Sequence, residues 1–212
     1  MILLGASVSP FARKVMMYAA EKGITLENRP MRPHSDDPEF KAASPFGKIP
    51  AFMDGEFTLA DSTAIVTYLE AKFPNPPLIP TEPRARAKCV WFEEMSDTVL
   101  FPACTKIFFN RVLSPKLMQK PGDEARANDA ETREIPPVFE YLESELPANG
   151  FLVGDSLTIA DIAVINQLVN LEHGACKVDA KRYPKLAAYY ARHSKRPSIA
   201  GIITAEREML GI

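Results

Sequence analysis

The chain has 212 residues, a formal net charge of −2 and 46% hydrophobic and 25% charged residues. That length supports one large or two small domains with a sizeable core. The near-neutral charge leaves no strong field to recruit nucleic acid or an acidic membrane surface. No apolar run is long enough to span a bilayer, and Met1–Gly5 lacks the length and basic flank of a secretory leader, so a cytoplasmic protein is expected. The cysteines are Cys89, Cys104 and Cys176, an odd count without close pairs, which argues against a disulfide framework. His34, His173 and His193 have no partners at metal-ligand spacing, so no metal is expected.

In chain order, Ile2-Leu3-Leu4 reads as a short buried strand. Ser9-Pro10 reads as a helix start, with Ser at the N-cap and Pro at the first helical position. The helix runs from about Phe11 to Lys22 with Val15, Tyr18 and Ala19 at core spacing, and Gly23 stops it. Ile24–Met31 reads as a second strand, Pro33–Asp37 as loop and Glu39–Ala43 as a short helical piece. Ala51-Phe52-Met53 and Phe57-Thr58-Leu59 flank Asp54-Gly55, a strong hairpin signal. A helix follows from Asp61 to Phe73, with Ala64, Ile65, Tyr68 and Leu69 on one face. The order β-α-β-α-β-β-α calls for one parallel crossover and one hairpin, hence a mixed sheet with helices against it.

Pro74 to Pro83 contains five prolines in ten residues and reads as a linker. Everything after it is helical in pattern. Arg84–Leu113 reads as one long helix with Trp91, Met95 and Val99 at i, i+4, i+8, kinked at Pro102. Asp123–Leu146 carries the stripe Ile135, Val138, Phe139, Leu142 and Leu146, interrupted by Pro136-Pro137. Thr158-Ile159-Ala160-Asp161 is a capping pattern, and Ile159–Leu171 is apolar nearly all round, which marks the buried centre of a second domain. Further helices are expected from Tyr183-Pro184 to about His193, and from Ser198 towards Leu210.

Several residues admit both a structural and a chemical reading. Ser9 is either an ordinary N-cap or a hydroxyl aimed at a bound thiol, with Ser7 as a rival. Lowering a thiol pKa of ~8.5 by about two units takes roughly 2.7 kcal/mol of preferential thiolate stabilisation. A hydroxyl together with N–H groups at a helix N-terminus supplies stabilisation of that kind. Ile49-Pro50 is either a trans turn, which the residues alone favour, or a cis bond that turns the Ile49 N–H and C=O towards a peptide ligand. Asp61-Ser62 caps a helix and also forms a candidate anion site. Lys48 and Lys41 are either solvated or close to a second carboxylate. Phe101 and Phe108 read first as core residues and second as one wall of an apolar pocket.

Taken together, these residues resemble the cytosolic glutathione transferase family over essentially the whole chain. Ser9-Pro10-Phe11-Ala12-Arg13-Lys14-Val15 is similar to the family's serine-type entry to the first helix. Phe46-Gly47-Lys48-Ile49-Pro50 resembles its cis-proline loop, Asp61-Ser62-Thr63-Ala64-Ile65 its acid-serine motif, and Leu157-Thr158-Ile159-Ala160-Asp161 the capping box of its helical domain. The resemblance implies an α/β thioredoxin-like domain at 1–75, a Pro-rich linker at 76–83, an all-α domain at 84–212 and a twofold homodimer. It implies glutathione as cosubstrate and a small hydrophobic electrophile as second substrate, with no metal.

By the same resemblance, Ser9 stabilises the thiolate, Ile49 pairs with the cysteinyl backbone and Pro50 is cis. Asp61 and Ser62 hold the γ-glutamyl end, and Lys48 and Lys41 lie near the glycyl carboxylate. Phe11 borders the glutathione site and, with Phe101, Thr105 and Phe108, the electrophile pocket. Phe46 and Asp97 are implied dimer contacts. Serine rather than cysteine at position 9 speaks against the reductase and lyase chemistry of cysteine-type members. The implied reaction is conjugation; the alternatives are a glutathione-binding protein without turnover and a peroxidase acting on organic hydroperoxides.

Overall fold

The computed structural model describes residues 1–212 and divides into two compact units, Met1–Leu78 and Ile79–Ile212. The first is built on a four-stranded sheet: β1 (Ile2–Leu4), β2 (Glu27–Arg29), β3 (Ala51–Asp54) and β4 (Phe57–Ala60), in the order β2-β1-β3-β4. β1 and β2 are parallel and are joined through helix α1 (Pro10–Glu21). β1–β3 and β3–β4 are antiparallel, with Leu3 opposite Phe52 and Phe52 opposite Leu59. This is the mixed sheet that the element order requires.

Leu3, Leu4, Ala51 and Phe52 are completely or almost completely buried along the central strands. Each large side chain of this kind contributes about 1.5–3 kcal/mol by leaving water. Helix α2 (Pro38–Ala43), capped by Asp37 through its 2.9 Å bond from Phe40 N–H, packs Phe40 and Ala43 against Leu4 and Ala51. Helix α3 (Ser62–Lys72) buries Ile65, Val66 and Leu69 and packs beside α1. β2 is shorter than the expected Ile24–Met31. It pairs on one side only, and an edge strand keeps ladder bonds only where β1, itself three residues long, lies beside it.

The second unit holds α4 (Pro83–Met95), α5 (Phe101–Phe108), α6 (Glu124–Asp129), α7 (Ile135–Glu145), α8 (Ile159–His173), α9 (Pro184–His193) and α10 (Pro197–Leu210). The expected single helix from Arg84 continues through α4 and α5 but is interrupted by π-helical turns at Ser96–Leu100 and Phe109–Leu117. A third lies at Ala130–Glu134. Each of the three accompanies a proline: Pro102 follows the first, Pro115 lies within the second and Pro136-Pro137 follow the third. A proline ring clashes with the carbonyl four residues back and donates no N–H, and the wider π turn takes up the misfit.

The burial also corrects the expected stripe. Met95 is buried, but Trp91 and Val99 are exposed, and the buried face runs through Cys89, Phe92, Met95, Leu100, Ala103, Cys104, Ile107 and Phe108. The π turn adds a residue per turn and rotates the helix face between Met95 and Leu100. The Trp91 indole donates to Tyr141 Oη at 2.7 Å instead of entering the core.

Helix α8 is buried along nearly its whole length and packs against α4 and α5. Asp161 anchors its start. Its carboxylate accepts from Leu152 N–H (2.9 Å), Thr158 N–H (2.9 Å) and Tyr189 Oη–H (3.1 Å). Burial pushes the Asp161 carboxyl above its ordinary range, against the opposing pull of those N–H donors. The three cysteines are buried thiols, and burial raises the pKa of each; that of Cys176 is pushed up to about 12.

Candidate functional site

The loop between α2 and β3 is shaped by three local constraints. Gly47 has φ +65, and a Cβ there would stand 2.5 Å from Nδ1 of His34. Only glycine accepts both the left-handed backbone and that approach. The Gly47 carbonyl accepts from His34 N–H at 2.7 Å, and the Ser44 hydroxyl donates to the Lys48 carbonyl at 2.7 Å. The Ile49-Pro50 bond is cis. No backbone hydrogen bond within the chain engages the N–H or C=O of Ile49, which lies immediately before the paired residues of β3.

At the far end of the hairpin, Asp61 holds φ +82, a left-handed conformation uncommon for a residue with a side chain. Its Oδ1 accepts from Thr63 N–H (2.8 Å) and Ala64 N–H (3.3 Å), which caps α3. Ser62 comes next. It is buried, and its hydroxyl has no hydrogen-bond partner within the chain. Buried hydroxyls are normally bonded, so this orphan is a polar group held ready for something else.

These two segments face one cavity of about 540 Å³. Among the residues singled out from the sequence, Phe11, Phe46, Lys48, Ile49, Pro50, Asp61 and Ser62 line it. The lining also takes Thr58–Ala60 from β4 and Ala42–Ser44 from the end of α2, which the sequence reading did not single out. The only signal for them is position, since they flank the hairpin and the Pro45–Lys48 loop. Chemically the cavity offers a free peptide edge at Ile49, an ammonium at Lys48 and a capped helix start with a spare hydroxyl. That set suits an extended peptide carrying carboxylates.

Ser9 and Lys41 are not part of the lining. Ser9 stands at the N-cap of α1, but its hydroxyl makes no capping bond; its N–H donates to the Ala6 carbonyl at 2.9 Å. Lys41 pairs with Asp36 at 2.6 Å and holds that carboxyl below its ordinary range. Phe46 has 83% of its surface exposed. In the helical unit, Phe101 and Thr105 are half-buried. Phe108 is buried, with its ring 6.2 Å from that of His173, as a core residue would be. Asp97 lies half-buried in the first π turn.

Two family descriptions match the chain: glutathione S-transferase, N-terminal domain, over residues 3–77, and glutathione S-transferase, C-terminal domain, over residues 108–204. A theta-1 glutathione S-transferase of Rattus norvegicus is 31% identical over 189 residues, covering 85% of this chain and 76% of the relative. Human glutathione S-transferase T1-1 superposes with a TM-score of 0.83 at 25% identity, covering 99% of this chain and 88% of that one. A glutathione S-transferase of Methylobacterium radiotolerans, solved in complex with glutathione sulfonate, gives a TM-score of 0.76 at 28% identity, covering 95% and 93%. With both domains matched in order and the mixed sheet followed by a helical unit, the chain belongs to the glutathione S-transferase family, a family of transferases.

Proposed function

We propose that the protein conjugates the thiolate of glutathione to small hydrophobic electrophiles. The observation that carries this reading is the cavity in which the unpaired Ile49 backbone and the orphaned Ser62 hydroxyl meet. In this reading the cysteinyl backbone of glutathione adds a short strand at Ile49. The γ-glutamyl carboxylate takes the hydroxyl and N–H of Ser62 at the start of α3, beside the N–H groups of Thr63 and Ala64 that Asp61 caps, and Lys48 neutralises the glycyl carboxylate. The relative bound to glutathione sulfonate supports an anionic tripeptide as ligand.

Ser9 is the proposed thiolate donor. Its hydroxyl is not engaged in capping α1, and Phe11, two residues on, lines the cavity. With the thiolate stabilised by that hydroxyl and by the N-terminus of α1, its lone pair attacks the electrophilic carbon and the leaving group departs with its electron pair. The protein contributes positioning and electrostatic stabilisation. Phe11 supplies apolar character at the cavity, which favours a hydrophobic second substrate, and a twofold homodimer completes the reading.

The test is Ser9→Ala. It is expected to lower the conjugation rate ~100-fold and raise the pKa of bound glutathione by about two units, read from thiolate absorbance against pH. Unchanged rate and absorbance would reject Ser9 and make Ser7→Ala the next variant. Saturable glutathione binding without turnover of an electrophile panel would reject conjugation, and turnover of organic hydroperoxides alone would replace it with a peroxidase.

A further inference from the structure

Helix α1 places two charged residues in sequence, Arg13 and Lys14, and both are fully buried. Lysine is among the residues least often buried, because an ammonium taken out of water needs strong compensating contacts. For packing alone a leucine or methionine at position 14 would serve. Lys14 lies one turn after Phe11 and one turn before Tyr18, so helical spacing puts it on the same face as the apolar stripe.

Its contacts are specific. Nζ donates to Thr63 Oγ1 at 3.3 Å, and the same atom stands 6.0 Å from the centroid of the Phe11 ring. Thr63 follows Ser62 directly, and its N–H is the one Asp61 Oδ1 holds at 2.8 Å. Phe11 and Ser62 both line the cavity. One buried ammonium therefore reaches two parts of the cavity wall from behind: the aromatic ring on α1 and the first turn of α3.

We propose that Lys14 is a positioning residue for the anionic end of the peptide ligand, holding the first turn of α3 through Thr63 so that the hydroxyl and N–H of Ser62 meet the carboxylate. This rests on the reading of the cavity as a glutathione site. The cation has the sign that complements an anion at the α3 N-terminus, and its bond to Thr63 restrains the residue next to the orphaned hydroxyl.

The experiment measures glutathione affinity by titration calorimetry, and KM and kcat separately, on the full chain carrying K14M, T63V and both. K14M is expected to weaken glutathione binding about tenfold, or about 1.4 kcal/mol. It should raise KM for glutathione while leaving KM for the electrophile alone. K14R, which still donates to Thr63, should recover part of the loss. T63V, which removes the hydroxyl that accepts from Lys14, should weaken binding in the same direction, and the double variant should be no worse than K14M. Affinity within twofold of the unmutated chain in K14M, or losses that simply add in the double variant, would overturn the proposal. If K14M does not fold, T63V decides: weaker glutathione binding with unchanged kcat upholds the proposal, and unchanged binding overturns it. Absence of glutathione binding by the unmutated chain would defeat the reading of the cavity itself, and this inference with it.

Discussion

The Ser62 hydroxyl is buried without a partner, while Asp61 beside it directs Oδ1 at two backbone N–H groups. A desolvated hydroxyl with no bond costs the empty protein about 1–3 kcal/mol, and a ligand carboxylate would recover that cost. Ser62→Ala is therefore expected to leave thermal stability unchanged or to raise it by up to ~1 kcal/mol, and to weaken glutathione binding about tenfold. Calorimetry of unfolding and of ligand binding on the same samples checks the opposite signs. Residue-level chemistry was legible where it depends on immediate neighbours. Asp61 capping α3 and Asp-Gly turning the hairpin both follow from bonds spanning two to four residues. The orphaned state of Ser62 was not legible, because burial depends on what packs over the side chain. Lys14 escaped notice for the same reason: a lysine on an apolar stripe reads as a snorkelling surface residue until its neighbours are known.

At the level of elements, α8 is held at its start by Asp161. Asp161→Ala would strand the N–H groups of Leu152 and Thr158 in a buried site. The expected cost is about 3–5 kcal/mol of stability, read from urea denaturation, with strong loss of soluble protein on expression. His193 sits in the same region. Its Nε2 lies 2.8 Å from the Gly150 carbonyl, and burial lowers its pKa below the ordinary histidine range. A histidine that resists protonation when folded binds fewer protons than in the unfolded chain at pH values between the folded pKa and about 6.5. Stability from this group is thus present above pH ~6.5 and falls as pH drops towards the folded pKa. His193→Asn is expected to flatten that acid limb, which denaturation midpoints at pH 5.5 and 7.5 would show. The capping pattern that starts α8 was plain in the sequence, as was the interruption at Pro136-Pro137. The π turns were not. Proline announces a disturbed helix, but whether the chain kinks or widens is decided by the packing on either side, and that choice left Val99, within the π turn, facing outwards.

For the molecule as a whole, no helix is long and apolar enough to cross a membrane. The most exposed large hydrophobic side chain is that of Phe46. An exposed phenylalanine of that kind beside a binding cavity suits contact with a second copy of the chain. We expect a dimer by light scattering at micromolar concentration, and Phe46→Ser to shift it towards monomer by about tenfold in dissociation constant. A Phe46→Ser protein with unchanged mass at all concentrations would remove Phe46 from the interface.

The order of elements, the mixed sheet, the helical second half and the motifs that resemble those of glutathione transferases all follow from the residues and their spacing. Strand and helix periodicity, turn residues and caps are set by sterics and hydrogen bonds over a few neighbouring positions. The folded chain adopts the cis Ile49-Pro50 bond that the resemblance implied and the residues alone disfavoured, and it is the packing that puts Phe108 in the core, pairs Lys41 with Asp36 and buries Ser62 without a partner. The burial of Phe108 and of Ser62 depends on which distant segments come together, as does the meeting of Lys14 and Thr63 across 49 positions of chain, and no local rule reaches that far.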